Sequence, residues 1–173
     1  LYSLYGPLIQ GNAFFKDSNK SFIIRIIPLL RPYRISAGNN VFTEGGYSRC
    51  VYLLEEGSVE MSVSLNPANL KNRVKVYGGS NRLENLTNTE EINILEGEDL
   101  KEERVAFKIM TGGAFFGDSD IIERRSRLCT AQAISDCHLY VLNRTDFESV
   151  VVDEFPDLFN ELKALGRKRD KDD

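Results

Sequence analysis

The feature that most constrains the fold is a series of short β-favouring segments at residues 33–64, separated by glycine. The segments are YRI, NVFTEGG, RCVYLLEEGS and VEMSVS. Short runs rich in valine, tyrosine and phenylalanine and bounded by glycine are typical of strands in sandwiches and barrels. β-type runs return in VAFKIM, LCTAQAI and CHLYVL. The middle of the chain is therefore predicted to be a small all-β structure.

Helical segments flank this β-region on both sides. Residues 1–32 carry apolar side chains at helical spacing, which predicts short N-terminal helices. Residues 143–173 return to a helical pattern, and Pro156 fits the first turn of the last helix. We predict that Thr145 caps the helix before it, because Glu148 follows three residues later as in a capping box.

Helices, then closely spaced short strands, then helices favour a mainly β fold. We predict a jelly-roll-like β-roll of about eight strands with N-terminal and C-terminal helices. With 42 % apolar residues, the chain suits one domain over residues 1–173, with the roll at 33–142. Residues 65–103 are polar and hold no steady period, so we expect an inserted loop outside the barrel with high mobility.

The residues that enzymes need are scarce in this sequence. His138 is the single histidine of the chain, so a site of two histidines and one carboxylate cannot be assembled. His138 lies between Cys137 and Leu139 in an apparent strand, and we interpret it as an ordinary strand histidine rather than as part of a nucleophilic site. We therefore expect a binding domain without catalytic residues, metal or cofactor.

Charge, cysteine spacing and hydropathy narrow the possible ligands and the cellular compartment further. A net charge of −4 argues against a nucleic-acid surface, which needs dense positive charge. Cys50, Cys129 and Cys137 lack the paired spacing of a zinc site and suit reduced thiols in the cytosol. The longest apolar run, FIIRIIPLL, is less than half of the about 20 residues that cross a bilayer. Because no signal peptide follows Leu1, we expect a cytoplasmic piece of a longer protein, itself without membrane insertion.

Three segments, in this order, resemble the cyclic nucleotide-binding domain: AGNNVFTEGGYSRCVYLLEEGSVEM, GGAFFGDSDIIERRSRLCTAQA and CHLYVLNRTDFESVVVDEFPDL. The resemblance covers nearly the whole chain apart from residues 65–103. The initial LIQGNAFFKDSNKSFIIRIIPLLRPYRI is most similar to the form found after the pore of cyclic-nucleotide-gated and related potassium channels. Regulatory subunits of cyclic-nucleotide-dependent kinases share the module. The resemblance implies a cytoplasmic regulatory domain that binds cAMP or cGMP and acts on the rest of its parent, a channel pore or a kinase. The resemblance does not decide whether the parent protein forms a homo-oligomer.

The same resemblance assigns a ligand site. Arg127, in RLCT, matches the family's phosphate-binding arginine, whose planar fork suits a phosphate better than lysine does. Asp118 stands in the place of the glutamate that binds the ribose 2′-hydroxyl, and the backbone N–H groups of Gly117 and Ser119 face the phosphate. The complete set of implied ligand-binding residues is Phe116, Gly117, Asp118, Ser119, Arg127, Leu128, Cys129 and Arg169.

Three residues depart from the family pattern. Asp118 is one methylene shorter than glutamate, and Leu128 replaces an alanine or a small hydroxyl residue. Asp120 stands where binders have a small neutral residue, and at about 6 Å and an effective dielectric of about 20 it would repel a phosphate by roughly 3 kcal/mol.

Two functions stay open at this point. One is cyclic nucleotide binding, weaker than in relatives that carry the glutamate. The other is a nucleotide-free structural or interaction module, since FGD also resembles the degenerate domains of the ether-à-go-go channel group. Those domains lack the arginine retained here. In the nucleotide-free case, Arg127 is expected to pair internally with Asp120 or Asp118.

The last helix is the expected signalling element. Leu158, Phe159, Leu162 and Leu165 form one apolar face, which we predict folds over the barrel mouth and moves when ligand binds. Ordinary packing against the barrel is the alternative for each of these residues. Arg169 falls where some channel domains place an arginine that contacts the base.

Overall fold

The computed structural model describes residues 2–16, 18–65 and 103–172. The predicted insertion, apart from Leu65 and Glu103 at its ends, lies outside these residues, so its mobility stays a prediction. The α-helices of the described part are α1 (Tyr2–Gly11), α2 (Lys20–Ile26), α3 (Asp118–Ile122), α4 (Arg144–Phe147) and α5 (Pro156–Asp172). Its strands are β1 (Arg31–Ile35), β2 (Asn40–Phe42), β3 (Cys50–Glu56), β4 (Ser58–Ser64), β5 (Arg104–Thr111), β6 (Phe115–Phe116), β7 (Thr130–Ala133) and β8 (Cys137–Asn143). Shorter helical segments are the 3₁₀ turns Ala13–Phe15 and Ile27–Leu29 and the π-helical segment Glu148–Glu154.

These strands form two four-stranded sheets with antiparallel pairing. The strand order is β1-β8-β3-β6 in the first sheet and β2-β7-β4-β5 in the second. The chain passes from the first sheet to the second at Gly57, whose φ of +98° suits glycine. A Cβ at Gly57 would lie 2.5 Å from the carbonyl oxygen of Asp136, so a larger residue would also clash there. The eight strands and flanking helices confirm the predicted β-roll.

Strands β3 and β6 of the first sheet contribute side chains to two apolar clusters, whereas residues 31–34 of β1 are exposed. Val51 and Leu53 of β3 face a cluster formed with the helices, here called the helical core. Leu54 faces a second cluster between the sheets, here called the roll core. The two residues of β6 divide in the same way, with Phe115 in the helical core and Phe116 in the roll core.

The helix ends match the sequence prediction in one case and differ in the other. Helix α5 begins at Pro156, as predicted. The predicted cap Thr145 is wrong, because Thr145 lies inside α4 and Asn143 is the N-cap. Asn143 has extended backbone angles, and its Oδ1 accepts a 2.8 Å hydrogen bond from the amide of Asp146. An amide side chain already in capping geometry therefore ends the strand and starts the helix two residues earlier.

Helix α5 packs on the helical core. Leu162 is buried there, and Leu158 and Phe159 are partly buried against it. Leu165 is 52 % exposed and does not join that face. These residues thus follow the packing alternative, since the helical core lies on the opposite face of the first sheet from the roll core. None of the helices in the described part of the chain is long and apolar enough to span a membrane.

Two leucines on α5 offer a matched test of this packing. Leu162 is 3 % exposed and Leu165 is 52 % exposed. We expect Leu162→Ala to lower the free energy of unfolding by about 2–4 kcal/mol, because it removes buried methyl groups and leaves a cavity. Leu165→Ala should change it by less than about 0.5 kcal/mol. Urea denaturation measures both, and equal effects would show that α5 does not dock as described.

Candidate functional site

Gly117 sits at the turn that leads from β6 into α3. Its φ of +82° is left-handed, which glycine adopts without strain. A Cβ at this position would lie 2.9 Å from Nη1 of Arg127 and 3.2 Å from the carbonyl oxygen of Cys50. The glycine of FGD therefore serves two purposes, the turn itself and the close approach of the arginine.

Arg127 is buried, with 2 % of its surface exposed. Its Nη1 donates to the carbonyl oxygen of Gly117 at 2.7 Å, and its Nη2 donates to that of Cys50 at 2.5 Å. Its guanidinium carbon lies 4.3 Å from the centroid of the Phe42 ring, within cation–π range. Its backbone is fixed by hydrogen bonds to the turn at residues 45–46. The guanidinium is thus held in one place by strands from both sheets and by the β6–α3 turn.

Asp120 provides the carboxylate next to this guanidinium. It lies in α3 with 7 % of its surface exposed. Its Oδ1 accepts a 2.9 Å hydrogen bond from Nε of Arg125, and its Oδ2 lies 3.5 Å from Nη1 of Arg127. Burial raises the pKa of Asp120, although the hydrogen bond and charge of Arg125 and the charge of Arg127 favour ionisation. Desolvation therefore outweighs the two adjacent arginines in setting the pKa of this carboxyl group.

The charges at this site define what it can bind. Arg125, Asp120 and Arg127 form a row of two positive charges around one negative charge. A charge buried in this way needs compensation, which Asp120 and the two carbonyl groups supply to Arg127. An anion approaching Arg127 must therefore compete with Asp120. In the described part of the chain, Nε of Arg127 is a buried donor without a hydrogen-bond partner.

Three aromatic rings line the roll beside Arg127. Tyr52 and Phe116 stack with ring centroids 5.5 Å apart, and Phe42 lies 5.8 Å from Tyr52 and 6.1 Å from Phe116. Burial is the main cause that raises the pKa of Tyr52 to about 12. Such a wall provides apolar and ring-face surface next to a cation, which suits a ligand that combines an anion with a flat ring.

The other predicted site residues have different surroundings. Asp118 begins α3 and is 1 % exposed, while Ser119 and Leu128 are half-buried. Sγ of Cys129 lies 3.9 Å from Sδ of Met61 in the roll core. Arg169 falls within the range of α5, but its side chain lies outside the described part, so its predicted base contact is untested.

A polar cluster on the second sheet follows directly after this loop. Oγ1 of Thr130 accepts a 3.0 Å hydrogen bond from the amide of Glu44 and is also bound by Arg104. Oε2 of Glu44 lies 3.5 Å from Nη2 of Arg104 and accepts a 2.8 Å hydrogen bond from the amide of Ser64. This cluster ties the turn after β2 to β4, β5 and β7. Across residues 2–16, 18–65 and 103–172, no group of three or more histidine, cysteine or acidic side chains is placed to hold a metal ion.

Gly117→Ala tests the close packing at Arg127. We expect a loss of about 2 kcal/mol or more in unfolding free energy, because alanine is strained at positive φ and would contact the guanidinium. Gly11→Ala is the control, since no atom lies within 4 Å of its added Cβ. Thermal denaturation compares the two variants. A neutral Gly117→Ala would show that Arg127 does not occupy the position described.

The comparisons with known proteins confirm the resemblance found in the sequence. Residues 92–154 match the family model described as the cyclic nucleotide-binding domain. A search of curated protein sequences finds no match to the chain.

Solved structures with the same fold include regulatory subunits of protein kinase A. One is the Toxoplasma gondii regulatory domain with cAMP, at 15 % identity and TM-score 0.68, covering 96 % of this chain and 49 % of that one. Another is the regulatory subunit of a cAMP-independent kinase from Trypanosoma brucei, at 13 % identity and TM-score 0.66, covering 95 % and 47 %. A triple mutant of the latter, bound to cAMP in its A site, matches at 13 % identity and TM-score 0.65, covering 94 % and 46 %. This chain thus spans about half the length of each, and its narrower resemblance to channel domains stays a prediction.

Proposed function

We propose that the chain is a regulatory domain of the cyclic nucleotide-binding type. In this domain the carboxylate of Asp120 repels the phosphate of the bound nucleotide. In this proposal cAMP or cGMP binds through Arg127, and Asp120 keeps the affinity low. The observation that carries the opposing role of Asp120 is its buried contact in α3 with Arg127 in the loop that follows, 3.5 Å apart. The same internal pairing is expected of the nucleotide-free alternative, so nucleotide titration decides between the two.

The competition has a definite physical origin. The guanidinium already donates to Gly117 and Cys50, so a phosphate must use its remaining N–H groups. A phosphate on the far side of Arg127 would lie about 6 Å from Asp120, where like charges at an effective dielectric of about 20 repel by roughly 3 kcal/mol. That repulsion corresponds to a loss of affinity on the order of 100-fold. Asp118, shorter than glutamate, weakens the ribose contact further.

The structural relatives show that this fold serves both outcomes. The Toxoplasma gondii domain holds cAMP, and the Trypanosoma brucei subunit belongs to a cAMP-independent kinase. A triple mutant of the Trypanosoma brucei protein holds cAMP. For this chain we assign the weakening of cyclic nucleotide binding to Asp120.

A route from the site to the C-terminal helix supports regulation by helix movement. Ile121 follows Asp120 in α3 and is 2 % exposed in the helical core, where Leu162 of α5 is also buried. Glu123 and Arg167 join the same two helices at their surface, with 3.8 Å between Oε1 and Nε. A ligand that moves α3 would therefore shift α5 and, through the helical core, the N-terminal helices. In this proposal the domain acts on the rest of its parent protein, which is a kinase or a channel pore.

Titration calorimetry of the chain with cAMP and cGMP tests the proposal. We expect saturable binding with a Kd on the order of 0.1 mM or weaker for the preferred nucleotide. The corresponding nucleosides, adenosine and guanosine, should bind less well because they lack the phosphate that Arg127 attracts. Submicromolar binding would overturn the opposing role of Asp120. Preferred binding of a nucleoside would overturn the role of Arg127.

A further inference from the structure

A second basic region lies outside the roll, on the side of the first sheet where β3 begins. A cleft of about 860 Å³ opens there between the start of β3, the loop after α3 and the start of α4. Its lining includes four arginines: Arg49, Arg124, Arg125 and Arg144. The chain as a whole carries a net charge of −4, so this concentration of positive charge is local.

Two of these arginines have no carboxylate partner within the described residues. Arg125 is paired with Asp120 at 2.9 Å, and Arg144 is paired with Glu148 at 2.9 Å. Arg49 and Arg124 are exposed and form no such pair in the described part. Arg49 instead lies over the ring of Tyr47, with its guanidinium carbon 5.7 Å from the centroid.

The remaining lining favours an anion as well. Ser48, Ser126 and Thr145 also line the cleft, and the hydroxyl group of Ser48 donates to the carbonyl oxygen of Arg125 at 2.6 Å. Asp146 is the acidic residue of this lining, and its Oδ2 accepts a 2.6 Å hydrogen bond from the side chain of Asn143.

The backbone at Arg124 gives an independent indication. Its φ is +51°, and within the described part of the chain the other residues with positive φ are all glycines. Residues other than glycine, asparagine and aspartate are uncommon in that conformation, and such strain concentrates at functional positions. The strained turn places this arginine on the cleft beside Arg125 and Ser126. A shorter residue would make the turn more easily, so the turn alone does not explain an arginine at this position.

We propose that this cleft binds the adjacent phosphate groups of a polyphosphorylated ligand. The planar forks of several arginines around one space match phosphate oxygens, and hydroxyl donors complete such a site. A cleft of about 860 Å³ is much larger than one phosphate needs and falls in the range of small-molecule sites. Arg127 is not part of it, and Arg125, which pairs with Asp120, is the lining residue that the cleft shares with the roll site.

Calorimetry with pyrophosphate at constant ionic strength is the test. We expect saturable binding, with inorganic phosphate binding more weakly because it engages fewer arginines. The double variant Arg49→Gln and Arg124→Asn should lose affinity on the order of 100-fold, about tenfold for each charge-assisted contact. Asparagine is chosen at position 124 because it tolerates positive φ. Unfolding midpoints confirm that the variants are folded.

The control is Arg34→Gln, which removes one exposed arginine at the opposite end of the first sheet. Arg34 pairs with His138 in the strand register, whereas β3 begins beside Asn143. The control should bind pyrophosphate as the wild type does. Absence of saturable binding, or equal affinity in the double variant and the wild type, would overturn the proposal.

Sedimentation with vesicles distinguishes two ligands that carry adjacent phosphate groups, a lipid headgroup and a soluble polyphosphate. Binding to vesicles that contain phosphorylated inositol lipids, lost in the double variant, would assign the site to a lipid headgroup. Binding of pyrophosphate without vesicle binding would assign it to a soluble polyphosphate.

Discussion

Replacing Arg127 by alanine is expected to lower the free energy of unfolding by about 3–5 kcal/mol. The substitution leaves the carbonyl groups of Gly117 and Cys50 without their donor and removes one of two positive charges beside buried Asp120. It also removes the cation from the face of Phe42. Arg127→Lys should restore only part of the loss, because one ammonium group cannot reach both carbonyl groups along the directions of the arginine fork.

Urea denaturation measures this effect in the wild type, Arg127→Ala, Arg127→Lys, Asp120→Asn, the double variant and Arg34→Ala. Arg34→Ala, at an exposed position on β1, is the control and should stay within about 0.5 kcal/mol of wild type. Adding Asp120→Asn to Arg127→Ala should recover at least about 1 kcal/mol, because the buried negative charge is gone. A loss no larger than that of Arg34→Ala, or strictly additive variants, would show that Arg127 and Asp120 are not coupled.

Asp120→Asn is expected to tighten cyclic nucleotide binding on the order of 100-fold. Asparagine keeps the shape of the side chain and removes the charge that competes with a phosphate for Arg127. The gain should be absent for adenosine and guanosine, because neither carries the phosphate. A gain for the nucleosides as well would indicate a change of pocket shape and contradict the electrostatic explanation.

Asp153→Asn is the matched control for this substitution. Asp153 is exposed on the π-helical segment Glu148–Glu154, so its replacement removes the same charge away from the site. Titration calorimetry should give the wild-type affinity for this control. If wild type and Asp120→Asn both give no heat at millimolar nucleotide, the domain is the nucleotide-free module instead.

The fold was predictable where side-chain pattern and burial agree. The glycine-bounded runs predicted most strands, and the apolar spacing of residues 1–32 predicted the N-terminal helices. Strand β6 was not predicted, because two phenylalanines carry no periodicity and gain their strand pairing from Tyr52 and Leu53. Tertiary pairing decides such a short element.

The charged residues of the site were predictable from the sequence, whereas its backbone contacts were not. The sequence placed Arg127 and Asp120 in opposition, and the structure puts them in contact. The carbonyl group of Cys50 was not predicted, because a main-chain acceptor leaves no mark on residue type. Tyr52 and Phe42 read as ordinary strand residues until the register of the two sheets places their rings beside the guanidinium.

The last helix shows the limit of a periodic pattern. Leu158, Phe159, Leu162 and Leu165 share one helical face in sequence, but Leu165 is 52 % exposed because the core ends before that turn. Periodicity gives the apolar face and its direction. It does not give how many turns of the helix are covered by a partner surface. It also does not give whether that surface belongs to the helical core or to the roll core.

The pH dependence of cyclic nucleotide affinity tests the central role of Asp120 most directly. Burial raises the pKa of Asp120, so its charge is lost at a higher pH than for an ordinary aspartate. Protonation removes the repulsion, so wild-type affinity for the preferred nucleotide should rise as the pH falls from about 7 to about 4, by at most about tenfold per pH unit. Asp120→Asn should bind tightly with little change over this range. A parallel pH profile in the two proteins would contradict the account.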